Sequence, residues 1–290
     1  MTRQNSRRFS DYCDSWLNAN RPRLKASSYA KYGTSMKNHI RPFWGEYYLC
    51  DITPEGVTAF TQLLLEEKQL AAKTVRDILA LFHSVFSYAG KREAQALQEL
   101  DLIYPRDARK HVRVLDETEE TILGQLLAKE MDRCKFGIYL ALRTGMRIGE
   151  ICALQWGDIS PEERTIFVGR TVQRIHCPDL SCNRQTMLVI GTPKSDSSMR
   201  LIPLMPDIAS LGERFMTGNP DTYVLTGTKQ CMDPRKLQRR LQKYLDECGI
   251  TGVHFHTLRH TFATRCVEAG FDIKTLSEIL GHSNISITLD

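Results

Sequence analysis

The sequence predicts a mainly α-helical protein with a small antiparallel β-sheet, built as a helical N-terminal domain followed by a mixed α+β domain. Three observations support this fold class. The chain has 290 residues, whereas single domains usually run to about 100–200 residues. Apolar residues recur at spacings of three and four along most of the chain, which is typical of packed helices. Between residues 165 and 204 this pattern changes to short β-like runs.

The N-terminal domain is predicted to follow a polar tail at 1–9 and to form a bundle of four helices between residues 10 and 92. One apolar stripe ends at Ile40, directly before Arg41 and Pro42. Thr53 and Pro54 mark another helix start, because threonine caps helices and proline suits the first helical position.

The second domain is predicted to run from 114 to 290, after a linker at 93–113 where the helical periodicity fades. Acidic residues after Asp116 open a helix, and another helix runs from about Arg133 to Thr144. Helices return from about Asp233. Between them lie four predicted strands: Thr165–Val168, Thr171–Ile175, Met187–Ile190 and Arg200–Leu204.

The composition is that of a soluble protein, with 42% hydrophobic and 25% charged residues. No apolar run approaches the roughly 20 residues of a membrane helix, and the first ten residues lack a secretory signal. We therefore expect a cytoplasmic protein. Its nine cysteines form no disulfide framework, which favours free thiols. His176, Cys177 and Cys182 are interpreted as a plain loop, with a zinc site as the alternative.

Positive charge is concentrated at the N-terminal end. Up to Arg113 the chain holds 18 basic and 12 acidic residues, and the remainder holds 21 and 22. The run from residue 21 to 41 contains no acidic residue and six cations, namely Arg21, Arg23, Lys25, Lys31, Lys37 and Arg41. Such a run suits either a DNA phosphate backbone or a solvated face, and the sequence leaves both open.

Arg147 follows a helix-ending glycine, Gly145, and precedes the next helix. A guanidinium and a helix N-terminus both favour a phosphate. Glu150, one turn on, is interpreted as a partner that orients Arg147 or caps the helix. His256 and Arg259 are three residues apart, so on a helix they share a face.

Three segments, TGMRIGEICAL, HTLRHTFAT and LGHSNISIT, occur in this order. Together they resemble the catalytic domain of the tyrosine recombinase (phage integrase) family, a resemblance that covers residues 116–290. The helices before residue 93 resemble the family's core-DNA-binding domain. The resemblance implies a site-specific DNA recombinase that clamps duplex DNA and acts through a 3′-phosphotyrosine, with no metal or nucleotide cofactor.

The same resemblance implies roles for individual residues. Arg147 and Arg259 would bind the scissile phosphate, and His282 would add a hydrogen bond to it. His256 would assist proton transfer, with His260 in a supporting role. Lys194, in a turn between two predicted strands, would be the general acid, although an exposed turn lysine is the alternative.

The resemblance also implies partners and limits. The partners are double-stranded recombination sites, bound by a homotetramer that is monomeric off DNA, and an accessory DNA-bending or excision factor. We expect no arm-binding domain ahead of the first helix. The nucleophilic tyrosine would lie nine or ten residues after His282, just beyond Asp290. Whether the chain is shortened or its gene is broken, we expect it to bind DNA without cutting it.

Three alternatives remain open at this point. A type IB topoisomerase uses a similar pocket to relax supercoils. A catalytically inactive DNA-binding remnant would occupy recombination sites. A metal-dependent nuclease would use His254, His256 and His260.

Overall fold

A computed structural model describes residues 7–93, 100, 102–106, 112–177, 185–193 and 198–281. The chain divides into two units, one of residues 1–110 with 175–187 and the other of residues 111–174 with 188–290. Helices dominate and the strands form small sheets, which confirms the predicted fold class. Within the described ranges, no helix is both long enough and apolar enough to cross a bilayer.

The N-terminal unit is a bundle of α-helices. Its helices are α1 (Phe9–Asn20), α2 (Ala26–Ser35), α3 (Arg41–Trp44), α4 (Pro54–Gln62) and α5 (Ala72–Glu93). The helix predicted to end before Pro42 instead continues through a π-helical turn, Met36–Ile40, into α3. Proline is tolerated there because it occupies the first turn of α3. Thr53 caps α4 by accepting a hydrogen bond from the N–H of Gly56 at 3.2 Å.

Aromatic side chains fill the core of the N-terminal unit. The ring of Phe82 on α5 lies 5.3 Å from Phe9, 5.3 Å from Trp44 and 6.1 Å from Phe60, measured between centroids. All four side chains are buried. Burying such large apolar groups is the main source of stability for a bundle of short helices.

The C-terminal unit contains a second set of helices. They are α6 (Glu117–Ala128), α7 (Arg133–Thr144), α8 (Ile148–Ala153), α9 (Pro206–Glu213), α10 (Pro234–Glu247), α11 (Phe255–Glu268) and α12 (Ile273–Leu280). The segment ahead of α6 is fixed to α11 at Leu115, which is fully buried. The N–H of Leu115 donates to Thr261 Oγ1 at 2.9 Å, and its carbonyl accepts from Arg265 at 3.0 Å.

The strands form two sheets, which corrects the prediction of one. The first is β1-β2-β5, with antiparallel pairing, and the second is β3-β4. Burial explains the division. In β2 and β5 alternate residues are buried, as expected for one face packed on a core, whereas β4 has no fully buried residue. The strands are β1 (Ile159–Ser160), β2 (Thr165–Val168), β3 (Thr171–His176), β4 (Thr186–Gly191) and β5 (Arg200–Pro203).

Gly145 ends α7 in the left-handed conformation, with φ of 64°, and a Cβ there would lie 2.6 Å from Phe262 and 2.7 Å from Leu280. We therefore expect Gly145→Ala to lower the free energy of unfolding by about 2–5 kcal/mol, from backbone strain and overpacking. Urea denaturation followed by circular dichroism measures this. Gly124→Ala is the matched control. Its site within α6 is open, with no atom within 4 Å, so alanine should stabilise the chain by about 0.5–1 kcal/mol. Equal effects of the two substitutions would contradict the assigned role of Gly145.

Candidate active site

Arg147 stands at the junction between α7 and α8. Because Gly145 reverses the chain, Arg147 becomes the N-cap residue of α8, with extended backbone angles. Its N–H donates to Glu150 Oε2 at 3.0 Å, and its Nη1 donates to Glu150 Oε1 at 2.8 Å. The Arg147 side chain is still 37% exposed. Glu150 thus both caps α8 and orients the guanidinium of Arg147.

Glu150 is shared between two arginines. Its side chain is 2% exposed, and it also accepts from Arg200 Nη2 at 2.9 Å and Nη1 at 3.3 Å. Burial alone raises the pKa of Glu150, but hydrogen bonds and charge from Arg200 and Arg147 outweigh this, so the net pKa is lowered. Glu150 is therefore ionised at neutral pH, and it is not a proton donor.

Arg200 was missed as a site residue in the sequence. It opens β5 with its side chain 5% exposed, and besides Glu150 it binds the carbonyl oxygens of Ser198 and Ile279. One signal was present in the sequence. The period of two in a strand puts Arg200 on the same face as buried Ile202. A charged residue at such an inward position requires a partner.

Arg259 projects from α11 and is almost fully buried. Its Nη1 donates to the carbonyl of Gly145 at 2.8 Å, and its Nη2 donates to the carbonyl of Leu280 at 2.6 Å. Burial, followed by the charge of Arg147, lowers the pKa of Arg259 to about 9. The guanidinium therefore stays protonated at neutral pH.

The end of α12 brings the three arginines together. Arg200 donates to the carbonyl of Ile279, Arg259 to that of Leu280, and Arg147 to that of Gly281 at 3.2 Å. The last carbonyls of a helix have no partner within the helix, so side-chain donors can satisfy them. The site is thus a cluster of guanidinium groups built around the turn that precedes residue 282.

Two predicted site histidines lie next to this cluster. His256 is one turn before Arg259 on α11, and its ring is 4.5 Å from that of His260 in an edge-to-face arrangement. Partial removal from water, followed by the charges of His260, Arg259 and Arg147, lowers the pKa of His256 to about 4. Burial and Arg259 also lower the pKa of His260. His256 is therefore a neutral imidazole at pH 7.

The other predicted site residues of this domain, Lys194 and His282, lie outside the described residues. So does Cys182 of the alternative zinc site. In the part of the chain that the structure describes, no group of three or more His, Cys, Asp or Glu side chains is arranged to hold a metal ion. His254, His256 and His260 are all described, and they do not form such a group.

The cations predicted to contact DNA lie on the N-terminal unit, where Lys31 and Arg41 form ion pairs with acids on other helices. Lys31 binds Asp77 at 2.7 Å and Arg41 binds Asp14 at 2.5 Å. The run has no acidic residue of its own, but folding supplies acids from α1 and α5. Arg21, Arg23, Lys25 and Lys37 are exposed.

A second basic surface was missed because the C-terminal domain has little net charge. Helix α10 buries Leu237, Leu241, Tyr244 and Leu245. Its opposite side is exposed and carries five cations, Arg235, Lys236, Arg239, Arg240 and Lys243. The strong amphipathic pattern of residues 234–247 was readable from the sequence.

Comparison with known families gives two matches. A model of the phage integrase family matches residues 113–290, and a model of the phage integrase N-terminal SAM-like domain matches residues 8–65. A tyrosine recombinase XerC-like protein of Caldanaerobacter subterraneus subsp. tengcongensis is 26% identical, with an alignment covering 96% of this chain and 77% of that protein.

Solved structures show the same fold. The Tn1549 transposon integrase, in complex with transposon right end DNA, superposes with a TM-score of 0.80 at 20% identity, covering 97% of this chain and 93% of that one. A lambda integrase tetramer bound to a Holliday junction gives a TM-score of 0.71 at 19% identity, covering 99% of this chain and 78% of that one. The phage integrase family model matches more than half of the residues of this chain, so the chain belongs to the phage integrase family of tyrosine recombinases.

Proposed function

We propose that this protein is a site-specific DNA recombinase that cuts and rejoins DNA through a 3′-phosphotyrosine intermediate. One observation carries the proposal. Arg147 and Arg259 come from segments more than 100 residues apart, yet their guanidinium groups bind the carbonyls of consecutive residues, Gly281 and Leu280. This arrangement supports a single phosphate site at the turn that leads to His282.

The charge of the cluster suits phosphoryl transfer. Among the described residues, these three arginines, Arg147, Arg200 and Arg259, face one carboxylate, that of Glu150, so two positive charges remain uncompensated there. A phosphodiester carries one negative charge, and more develops on its oxygens in the pentavalent transition state. Preorganised positive groups stabilise that charge without reorganisation during the reaction. The exposed part of Arg147 offers access to the phosphate.

The remaining roles follow from the family resemblance. His256, neutral at pH 7, would accept the proton of the nucleophile. Lys194 would protonate the leaving 5′-hydroxyl, and His282 would bind the phosphate. The spacing from His282 predicts the tyrosine within about two residues of Asp290, encoded by the codons that follow.

Two basic surfaces support duplex DNA as the partner. The exposed cations between residues 21 and 41 and those on α10 are spread over both units, and lysine and arginine side chains bind phosphates regardless of sequence. We propose that the chain assembles as a tetramer on two recombination sites of a mobile element, assisted by an accessory DNA-bending or excision factor.

Removing either phosphate-binding arginine should abolish cleavage. In a chain extended by its natural downstream codons, we expect Arg147→Ala and Arg259→Ala each to slow adduct formation on a nicked suicide substrate by at least about a hundredfold. Affinity for the same DNA should fall much less, because many other cations bind the backbone. Gel analysis of the covalent adduct measures the rate of adduct formation, and filter binding measures the DNA affinity.

Near-normal adduct formation by either arginine variant would overturn the assignment of the pocket. The extended parent chain must itself form the adduct, whereas the 290-residue chain should form none. Tight DNA binding without an adduct by the extended chain would favour the inactive DNA-binding remnant.

Lys37 should contribute directly to DNA affinity. No ion pair of Lys37 occurs among the described residues, so Lys37→Gln should weaken binding to all sequences and reduce the slope of log K against log salt by about 0.9. Replacing both members of the Lys31–Asp77 pair, Lys31→Gln with Asp77→Asn, is the control. It leaves the net charge unchanged and should leave the slope unchanged. If Lys37→Gln leaves the slope at the parental value, the run is a solvated face.

The imidazole of His256 should remain neutral well below pH 6. Because the folded-state pKa is about 4, its ring-proton NMR signal should move only as the pH falls toward 4. In the unfolded chain the His256 side chain binds a proton near pH 6.5, whereas in the folded chain it does so near pH 4. The folding stability therefore decreases as the pH falls from about 6.5 to about 4. The ring-proton signal that is missing from the spectrum of His256→Asn is the one that belongs to His256. A midpoint near 6.5 would show that the ring is not held neutral by its surroundings.

A further inference from the structure

Arg200 lies beneath the proposed phosphate pocket, and among the described residues it hydrogen-bonds to Glu150, Ser198 and Ile279. We infer that Arg200 is a positioning residue of the recombinase pocket, acting on Arg147 through Glu150 and on the turn before His282 through Ile279 and Gly281. This inference rests on the proposed function of the pocket. It adds a residue to which the family motifs assign no part.

The first effect of Arg200 is electrostatic. Glu150 is buried, and a buried carboxylate with a single partner would draw that partner into a tight, neutral pair. Arg200 binds both oxygens of Glu150, and Arg147 shares them. Because Arg200 neutralises much of the carboxylate charge, the charge of Arg147 remains available to a phosphate.

The second effect is geometric. The Nε of Arg200 donates to the carbonyl of Ile279, and its side chain lies directly against Gly281. A Cβ at Gly281 would be 3.0 Å from Arg200 Cδ and 3.1 Å from Nη1. Arg200 therefore supports the left-handed turn at Gly281, where φ is 66°.

Only a guanidinium can make this set of contacts at once. The acceptors are two carboxylate oxygens of Glu150 and the carbonyls of Ser198 and Ile279. Arginine presents five N–H donors in a rigid plane, whereas lysine concentrates its three donors on one atom. Lysine at this position would keep the charge and lose the contacts to the turn.

The test uses the extended chain and two substitutions. Arg200→Met removes both effects and should slow adduct formation on the suicide substrate by about a hundredfold, the scale of a displaced catalytic geometry. Arg200→Lys keeps the charge opposite Glu150 and should slow it by about tenfold. DNA affinity should change less than threefold in both. Hydrogen exchange at the Gly281 amide, which bonds to Glu278, should become faster in both, independently of cleavage.

A rescue experiment separates positioning from simple destabilisation. With Arg200→Met, Glu150 keeps an unshared charge that holds Arg147, so adding Glu150→Gln should restore adduct formation by about tenfold relative to Arg200→Met alone. Arg133→Met is the matched control. Arg133 is also partly buried and donates to two carbonyls, those of Val224 and Phe215, at 2.8 and 2.9 Å. Its loss should lower stability and leave the adduct rate of the folded protein unchanged.

Each outcome bears on the inference alone or on the pocket as a whole. Arg200→Met that folds and cleaves like the parent, while Arg147→Ala is inactive, overturns the inference and leaves the proposed function intact. If Arg200→Met does not fold, a folded Arg200→Lys that cleaves at the parental rate overturns it equally. Normal cleavage by Arg147→Ala contradicts the proposed function, and faster exchange at Gly281 in Arg200→Lys would then still support the structural link.

Discussion

The buried carboxylate of Glu150, held between Arg147 and Arg200, is the interaction on which the rest of the site depends. An ionised carboxylate in the interior is costly unless charged donors surround it. Here the donors come from the start of α8 and the start of β5. These two contacts therefore hold β5 against α8, and they leave the side chain of Arg147 partly exposed. Removing Arg200 would leave Arg147 as the partner of this carboxylate.

The end of α12 completes the arrangement. A helix that stops inside a protein leaves its last carbonyls without partners, and three guanidinium groups provide the missing donors here. The same groups that satisfy the backbone supply the positive charge of the pocket. Helix termination and the proposed phosphate site thus depend on one set of side chains, and the backbone carbonyls of residues 279–281 help to stabilise this concentration of positive charge in a largely buried place.

The sequence provided local information about the proposed site. Helix spacing placed His256 and Arg259 on one face, and the three segments that resemble the family supplied the roles proposed for Arg147, His256 and Arg259. Arg200 could not be paired with Glu150 in this way, since the partners are 50 residues apart. The ion pair between Lys31 and Asp77 could not be predicted for the same reason, because Asp77 reaches Lys31 only in the folded unit. The helices were predicted well from apolar periodicity, but the division of four short strands between two sheets depends on which faces are covered, and this information is not local.

The attachment of Leu115 has a mechanical consequence. This residue is fully buried, and both its N–H and its carbonyl bind side chains of α11, the helix that carries His256 and Arg259. A force applied to the chain upstream of Leu115 therefore acts first on that helix and not on the sheet. Tension applied at Leu115 would be transmitted to α11, the helix that carries two of the proposed site residues.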